Sequence, residues 1–166
     1  VEDLGAHDNP AWAFSPLNNF YYIHEPFAPQ FDAEGYTENP TRATGNDCFT
    51  AHPTKDDWYE TIKLNYGVFY QGGGEQQFDP IPDTWHKMLH ILLFWSSKGV
   101  DGFRCDMAEM VPQAFWNWVI PQVKGQYPHM LFIAEVYNPT LYRDYLAAGF
   151  DYLYDKVGMY DYLRGV

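Results

Sequence analysis

Basic residues are scarce: ten Lys and Arg stand against 22 Asp and Glu, for a formal net charge of −12. A field of that sign repels phosphate, so nucleic acid and anionic membrane surfaces are poor partners and a neutral or cationic ligand is easier to accept. Cysteine is nearly absent, with Cys48 in a polar loop and Cys105 inside an apolar run. Two thiols so placed follow neither a zinc pattern nor the dense disulfide framework of a small secreted domain, and are read as free. No stretch approaches the roughly 20 apolar residues of a membrane span. The opening "VEDLGAHDNP" has no basic or apolar segment of a secretory leader and no initiating methionine, which reads as a mature product or an excised fragment. No G-x-G-x-x-G follows a strand-like run, and "GGGEQQF" lacks the Lys-Ser/Thr of a phosphate loop, so nucleotide binding has little support.

Aromatic residues, in contrast, make up 19% of the chain. Many sit in polar, Pro/Gly-rich sequence such as "NPAWAFSPLNNFYYIHEPF", where there is little local core to join. Flat apolar faces flanked by Asn, Asp and Glu suit a sugar, which stacks its C–H face and hydrogen-bonds through its hydroxyls; the alternative is that such rings pack beneath their own loops. With 46% hydrophobic residues over 166 positions the chain should fold, as one domain or part of a larger one.

The texture changes near residue 83. Residues 1–82 hold most of the prolines and a triple glycine, and read as long loops with a few short strands, more plausible as an excursion from a larger scaffold than as a domain of their own. From residue 83 the pattern is regular. "PDTWHKMLHILLFWSSKG" places Trp85, Met88, Leu89, Leu92, Leu93 and Trp95 in a helical period and stops at Gly99. "VDGFRCD" follows as a strand, then "PQAFWNWVIPQVKGQY" as a helix opened by Pro112 and expected to kink or end near Pro121. "MLFIAEV" is the next strand, "PTLYRDYLAAGF" a helix, "FDYLYD" a strand, and "GMYDYLRGV" starts another helix. This alternation predicts an α/β fold with a parallel sheet, either doubly wound or a β/α barrel. Polar residues at successive strand ends favour the barrel, whose active sites lie there.

The stretch "GVDGFRCDMAEMVP" sets Arg104 and Asp106 two residues apart, on the same face of a strand, with Cys105 on the other. An arginine beside an aspartate keeps the carboxylate ionised, as a nucleophile needs, although structural ion pairs at strand ends are common. Glu135 ends the next strand after "LFIA", a setting in which desolvation is expected to raise a carboxyl group's pKa and favour the protonated acid. Adjacent strands lie roughly 4.8 Å apart, so two such carboxyl groups can reach the roughly 5 to 5.5 Å separation of a retaining glycosidase. His86 and His90 stand four apart on the first helix, but no Glu of an HExxH pattern lies between them, so a packed or solvated pair is favoured over a metal site. Asp151 and Asp155 either line a cleft mouth or cap the next helix, with Asp155 assigned to the cleft.

"GVDGFRCDMAEMVP" followed by "FIAEV" resembles the alpha-amylase family of glycoside hydrolases, whose signature is G-F-R-x-D and then a strand ending in Glu; "KLNYG" resembles that family's Leu-Asn segment upstream. The resemblance implies part of a (β/α)8 TIM barrel, about strands 4 to 6, in residues 83–166. Residues 1–82 would be the loop-rich excursion after barrel strand 3. It makes Asp106 the nucleophile, Glu135 the general acid/base and Arg104 the residue that orients the nucleophile, with Tyr137, Glu109 and Asp155 as substrate contacts. Many starch-acting members carry Lys-His where this chain has Glu109 and Met110, so the lysine contact to sugar is lost and Glu109 either replaces it or faces solvent. The backbone carbonyl of Met110 remains a candidate calcium ligand, since a carbonyl does not depend on side-chain identity. Lys63 stands where an aspartate is frequent, which weakens a metal role there.

The family's Asp-x-x-x-x-Asn-His element and its later His-Asp pair are missing, and 166 residues fall short of the roughly 250 of a whole barrel. The chain is therefore expected to be a fragment, with little or no hydrolysis on its own. The function implied for the parent protein is retaining hydrolysis of α-glucosidic bonds in starch-like glucans or maltooligosaccharides. The alternatives are glycosyl transfer through the same covalent intermediate, or sugar binding without turnover, which the retained carboxylate pair argues against. The partner is an oligosaccharide or polysaccharide, no organic cofactor is implied, and an extracytoplasmic location is the family expectation.

Overall fold

The computed structural model describes residues 3–165; residues 1, 2 and 166, at the outer ends of the two expected segments, fall outside the described residues. The chain divides into two units, one running to Lys87 and the other starting at Met88.

Proline and glycine leave the first unit little regular structure. Its strands are two residues each: β1 (Tyr22–Ile23) pairs antiparallel with β2 (Thr41–Arg42), and β3 (Val68–Phe69) with β4 (Glu75–Gln76). Backbone groups that no ladder satisfies still need partners, and buried amide side chains supply them. Asn65 donates to the carbonyls of Ser15 (2.7 Å) and Asn18 (2.9 Å) and accepts from the Gly67 N–H (2.9 Å). Asn19 accepts from the Gly5 N–H at 2.7 Å and from the Lys87 ammonium at 2.8 Å. Tyr21, Ile23, Ala43 and Ala51 form a core against which Phe14, Phe49 and Tyr70 pack, and the Tyr21 hydroxyl donates to the Val68 carbonyl at 2.7 Å. The loop aromatics thus split into two groups: these rings are core, whereas Trp12, Tyr36 and Trp58 stay exposed.

α1 (Asp83–Ser96) buries Trp85 and Leu92, while Trp95 at the far end of its apolar series is half exposed. Beyond it come β5 (Gly102–Cys105), α2 (Gln113–Gln126), β6 (Leu131–Ala134), α3 (Tyr142–Ala147), β7 (Tyr152–Leu153) and α4 (Lys156–Arg164). β5, β6 and β7 lie side by side in that order, all parallel, so the second unit is α/β. Gly102 is required where β5 meets β6, because a Cβ there would stand 2.6 Å from the Leu131 carbonyl oxygen. Phe150 joins the layers, its ring packing against Trp116 of α2, Phe132 of β6 and Tyr145 of α3.

Two expected boundaries shift. α2 continues past Pro121 rather than ending there, with Phe115, Trp116, Val119, Ile120 and Val123 buried on either side of it. An interior proline costs about 3 kcal/mol, and burying large apolar side chains at about 1.5–3 kcal/mol each outweighs that. α4 begins at Lys156 rather than Gly158, because the Asp155 carboxylate accepts from the Gly158 N–H at 3.3 Å and caps the helix.

Candidate active site

The parallel register decides which side chains meet. Arg104 pairs with Ile133 and Cys105 with Ala134, so the next residues along, Asp106 and Glu135, leave adjacent strand ends at the same level. Past the last pair the chains stay tied: the Glu135 N–H donates to the Cys105 carbonyl (3.0 Å), and the Ala108 N–H to the Glu135 carbonyl (3.0 Å). Met107 takes a left-handed φ of 45°, which turns the chain into a short 3-10 turn, Ala108–Met110. That turn aims the Met107 N–H at Glu135 Oε2, 3.1 Å away.

Arg104 joins the two carboxylates. Its Nη1 donates to Asp106 Oδ1, and its Nη2 lies 2.8 Å from Glu135 Oε2. The planar fork of a guanidinium presents its donors to two acceptors in a fixed geometry, where an ammonium is a point charge. Behind it, the Tyr154 ring lies 5.5 Å from the guanidinium carbon, and the Tyr154 hydroxyl accepts from Arg104 Nε at 3.4 Å. Asp106 is 74% exposed, whereas Glu135 is 5% exposed. The Asp106 carboxylate is solvent-exposed beside its Arg104 contact, whereas Glu135 is enclosed by its partners.

Lys156, at the start of α4, is the residue that the sequence reading missed. Its ammonium lies 2.8 Å from Glu135 Oε1 and also donates to the Tyr137 hydroxyl. The Glu135 carboxyl therefore departs from expectation. The Lys156 ammonium above all, then the Met107 N–H, a hydrogen bond with Asp106 and the Arg104 guanidinium, hold it down to about 2, against the burial that would raise it. In the sequence only desolvation was visible, and these partners override it. The available signal was position: Lys156 follows the third strand of the sheet, where barrel enzymes place working residues. On the far face of β5, burial pushes the Cys105 thiol up to about 12, so it is not a nucleophile.

The other candidates separate. Tyr137 joins the cluster through Lys156. Glu109 is half-buried, and its Oε2 accepts from the N–H groups of Tyr137 (3.2 Å) and Asn138 (3.0 Å), which pins the loop just after Glu135. Asp155 lines an open cavity of about 510 Å³ together with Arg104, Glu135, Tyr154, Lys156 and Tyr160, but its carboxylate is engaged at the start of α4. Asp151 is drawn away from any cleft, pairing with Lys124 at 2.8 Å and accepting from the Phe132 N–H at 2.8 Å. Met110 closes the 3-10 turn, its N–H bonded to the Met107 carbonyl at 2.9 Å. Glu109 beside it is committed to backbone, and among the described residues no three His, Cys, Asp or Glu side chains gather into a cation site. His86 and His90 lie on the exposed side of α1.

No protein-family model matches the chain. Curated relatives do. The alpha-1,4-glucan:maltose-1-phosphate maltosyltransferase of Cereibacter sphaeroides is 34% identical over 97 residues, 58% of this chain and 14% of that protein. The enzyme of the same name from Mycolicibacterium smegmatis is 39% identical over 70 residues, 42% of this chain and 10% of that protein. Among solved structures, an alpha-amylase from Lactobacillus plantarum is 28% identical, with a TM-score of 0.47, and is covered over 65% of this chain and 26% of that one. The chain thus spans about a seventh of the first relative's length. The curated relatives, beside the G-F-R-x-D strand end and the following strand-end glutamate, support reading the chain as a fragment of a member of the alpha-amylase family of glycoside hydrolases.

Proposed function

We propose that the parent protein is a retaining glycosyltransferase of α-glucans, with β5 to β7 as about the fourth to sixth strands of its catalytic (β/α)8 barrel. The observation that carries this reading is Arg104 spanning Asp106 and Glu135 at the ends of adjacent parallel strands. Asp106 attacks the anomeric carbon as the bond to the leaving group breaks, giving a glycosyl ester; an acceptor hydroxyl then attacks the same carbon, losing its proton to Glu135 and releasing Asp106. Configuration is retained because each displacement inverts it. Asp106 stands exposed and available for the first step.

The partners of Glu135 favour transfer from an activated donor over simple hydrolysis. A sugar alkoxide leaves only if it is protonated, which needs a carboxylic acid, whereas Lys156, the Met107 N–H and Arg104 hold Glu135 in its ionised form. A phosphate leaving group departs without that proton. The relatives' name carries such a donor, maltose 1-phosphate, with an α-1,4-glucan. Lys156 and Arg104, both facing Glu135, supply the positive charge that a departing phosphate needs.

The test uses the complete parent chain with maltose 1-phosphate and a maltooligosaccharide acceptor. Phosphate release matched by chain extension supports the reading, with Asp106→Asn at least about a thousandfold slower. Release of new reducing ends from maltooligosaccharides without extension points instead to hydrolysis, and inertness on every α-glucan leaves plain sugar binding.

A further inference from the structure

A second cavity, of about 530 Å³, is lined entirely by residues of the first unit. Its volume falls within the roughly 300–1,000 Å³ of small-ligand sites. Phe27, Phe31, Tyr36 and Tyr59 line it. These rings come in two crossed pairs: Phe27 and Tyr36 meet edge to face with centroids 5.5 Å apart, and Phe31 and Tyr59 are tilted at 4.4 Å. One ring of each pair remains open to solvent, Tyr36 at 54% and Tyr59 at 37%. Two apolar faces therefore stand exposed in a concave site, each backed by a second ring that holds it in place.

The polar lining is equally organised. Glu38 accepts from Arg42 Nε at 2.5 Å through one carboxylate oxygen and from the Tyr36 hydroxyl at 3.1 Å through the other, so the guanidinium and the phenol share one anchor. The frame is tied across the loop by the Phe27 N–H to the Glu38 carbonyl (2.9 Å) and the Thr41 N–H to the Glu25 carbonyl (3.0 Å). Asp32, Glu34 and Glu60 add three more acids, against Arg42 and Lys55 as the cations. That balance, in a chain of net charge −12, opposes phosphate and so disfavours nucleotides and phosphorylated sugars. Fixed aromatic faces interleaved with carboxylates and a guanidinium match an uncharged ligand that is apolar on its faces and rich in hydroxyls at its edge.

We propose that this cavity binds a neutral oligosaccharide, a short stretch of α-glucan chain, stacked on Tyr36 and Tyr59 and hydrogen-bonded to Arg42 and the neighbouring carboxylates. The class of ligand follows from the cavity; the choice of an α-glucan rests on the function proposed above. Such a hold on the polymer is expected to favour long chains over short ones.

The test is a titration of the complete parent protein carrying Asp106→Asn, so that the probe is not consumed, with maltoheptaose. Ring-proton NMR signals of Tyr36 and Tyr59 are expected to shift on addition, and Tyr36→Ala with Tyr59→Ala is expected to weaken binding at least about tenfold. With Asp106 restored, the paired variant should turn over a minimal donor at the parental rate and lose activity on long acceptors. Unmoved ring signals overturn the proposal however the variants fold, as does parental affinity in the paired variant. Failure of the transfer reading looks different: no turnover with Asp106 in place, whatever the rings report.

Discussion

The ammonium of Lys156 lies 2.8 Å from Glu135 Oε1, on the opposite side of that carboxylate from Arg104, which contacts Oε2 at the same distance. The Glu135 carboxyl group is thus clasped between two cations, and its protonation depends on both.

Removing one of them should show it. In Lys156→Met the Glu135 carboxyl loses its largest charge-stabilising partner, so its titration, followed by side-chain carboxyl NMR, should move up from about 2 toward the ordinary glutamate range. Because the folded value lies below the unfolded one, the pair's contribution to stability is complete above the unfolded pKa, about 4.3. It fades as pH falls toward about 2. The variant should lack that dependence, and a parental titration curve in Lys156→Met would show that another group sets the value.

Arg104→Lys tests the bridge. A single ammonium cannot contact Asp106 and Glu135 with two parallel donors, so kcat/KM of the parent protein should drop about a hundredfold. Stability should change little, since Arg104 is 41% exposed. A drop in melting temperature as large as that of a core substitution would reassign Arg104 to a structural role.

Glu109→Ala leaves the Tyr137 and Asn138 N–H groups without their acceptor. The cost should be about 1–2 kcal/mol in denaturant unfolding. Faster hydrogen exchange should be confined to those two amides and their neighbours, with Glu109→Gln, which keeps an oxygen acceptor, in between.

Asp155→Ala removes the cap of α4 and should cost about 1 kcal/mol, with Asp155→Ser recovering most of it. Exchange protection should fall first in residues 157–160. An unaffected helix would mean that the cap is redundant.

Phe132, fully buried in β6 against Phe103 and Phe150, reads out the core. Phe132→Ala should destabilise by about 3–5 kcal/mol. A cost below about 1 kcal/mol would indicate that the sheet is not packed as described.

Much of the second unit was legible because its signals are local. A helical period marks α1, a glycine stops it, and alternation of strands with helices forces parallel pairing. Arg104, Asp106 and Glu135 could be named because residues two apart share a strand face and adjacent strand ends lie close together. α2 was harder to read: Pro121 is a local breaker, and only burial of the flanking side chains shows that packing outweighs it. The first unit resisted for the opposite reason, since its order comes from buried side-chain amides such as Asn65 bonding carbonyls as many as 50 residues away.

The sequence by itself determined the composition-level exclusions, the α/β alternation and the carboxylate pair with its arginine, all of which depend on spacing along one chain. The tertiary structure decided the charge state of Glu135, the hydrogen bonds of Glu109 and Asp155 to backbone N–H groups, and which loop aromatics are core and which stand open. Each of these is a competition between burial and partners from distant segments. Lys156 reaches Glu135 across 21 residues, and no local pattern reports the outcome of a contest whose other side is elsewhere in the chain.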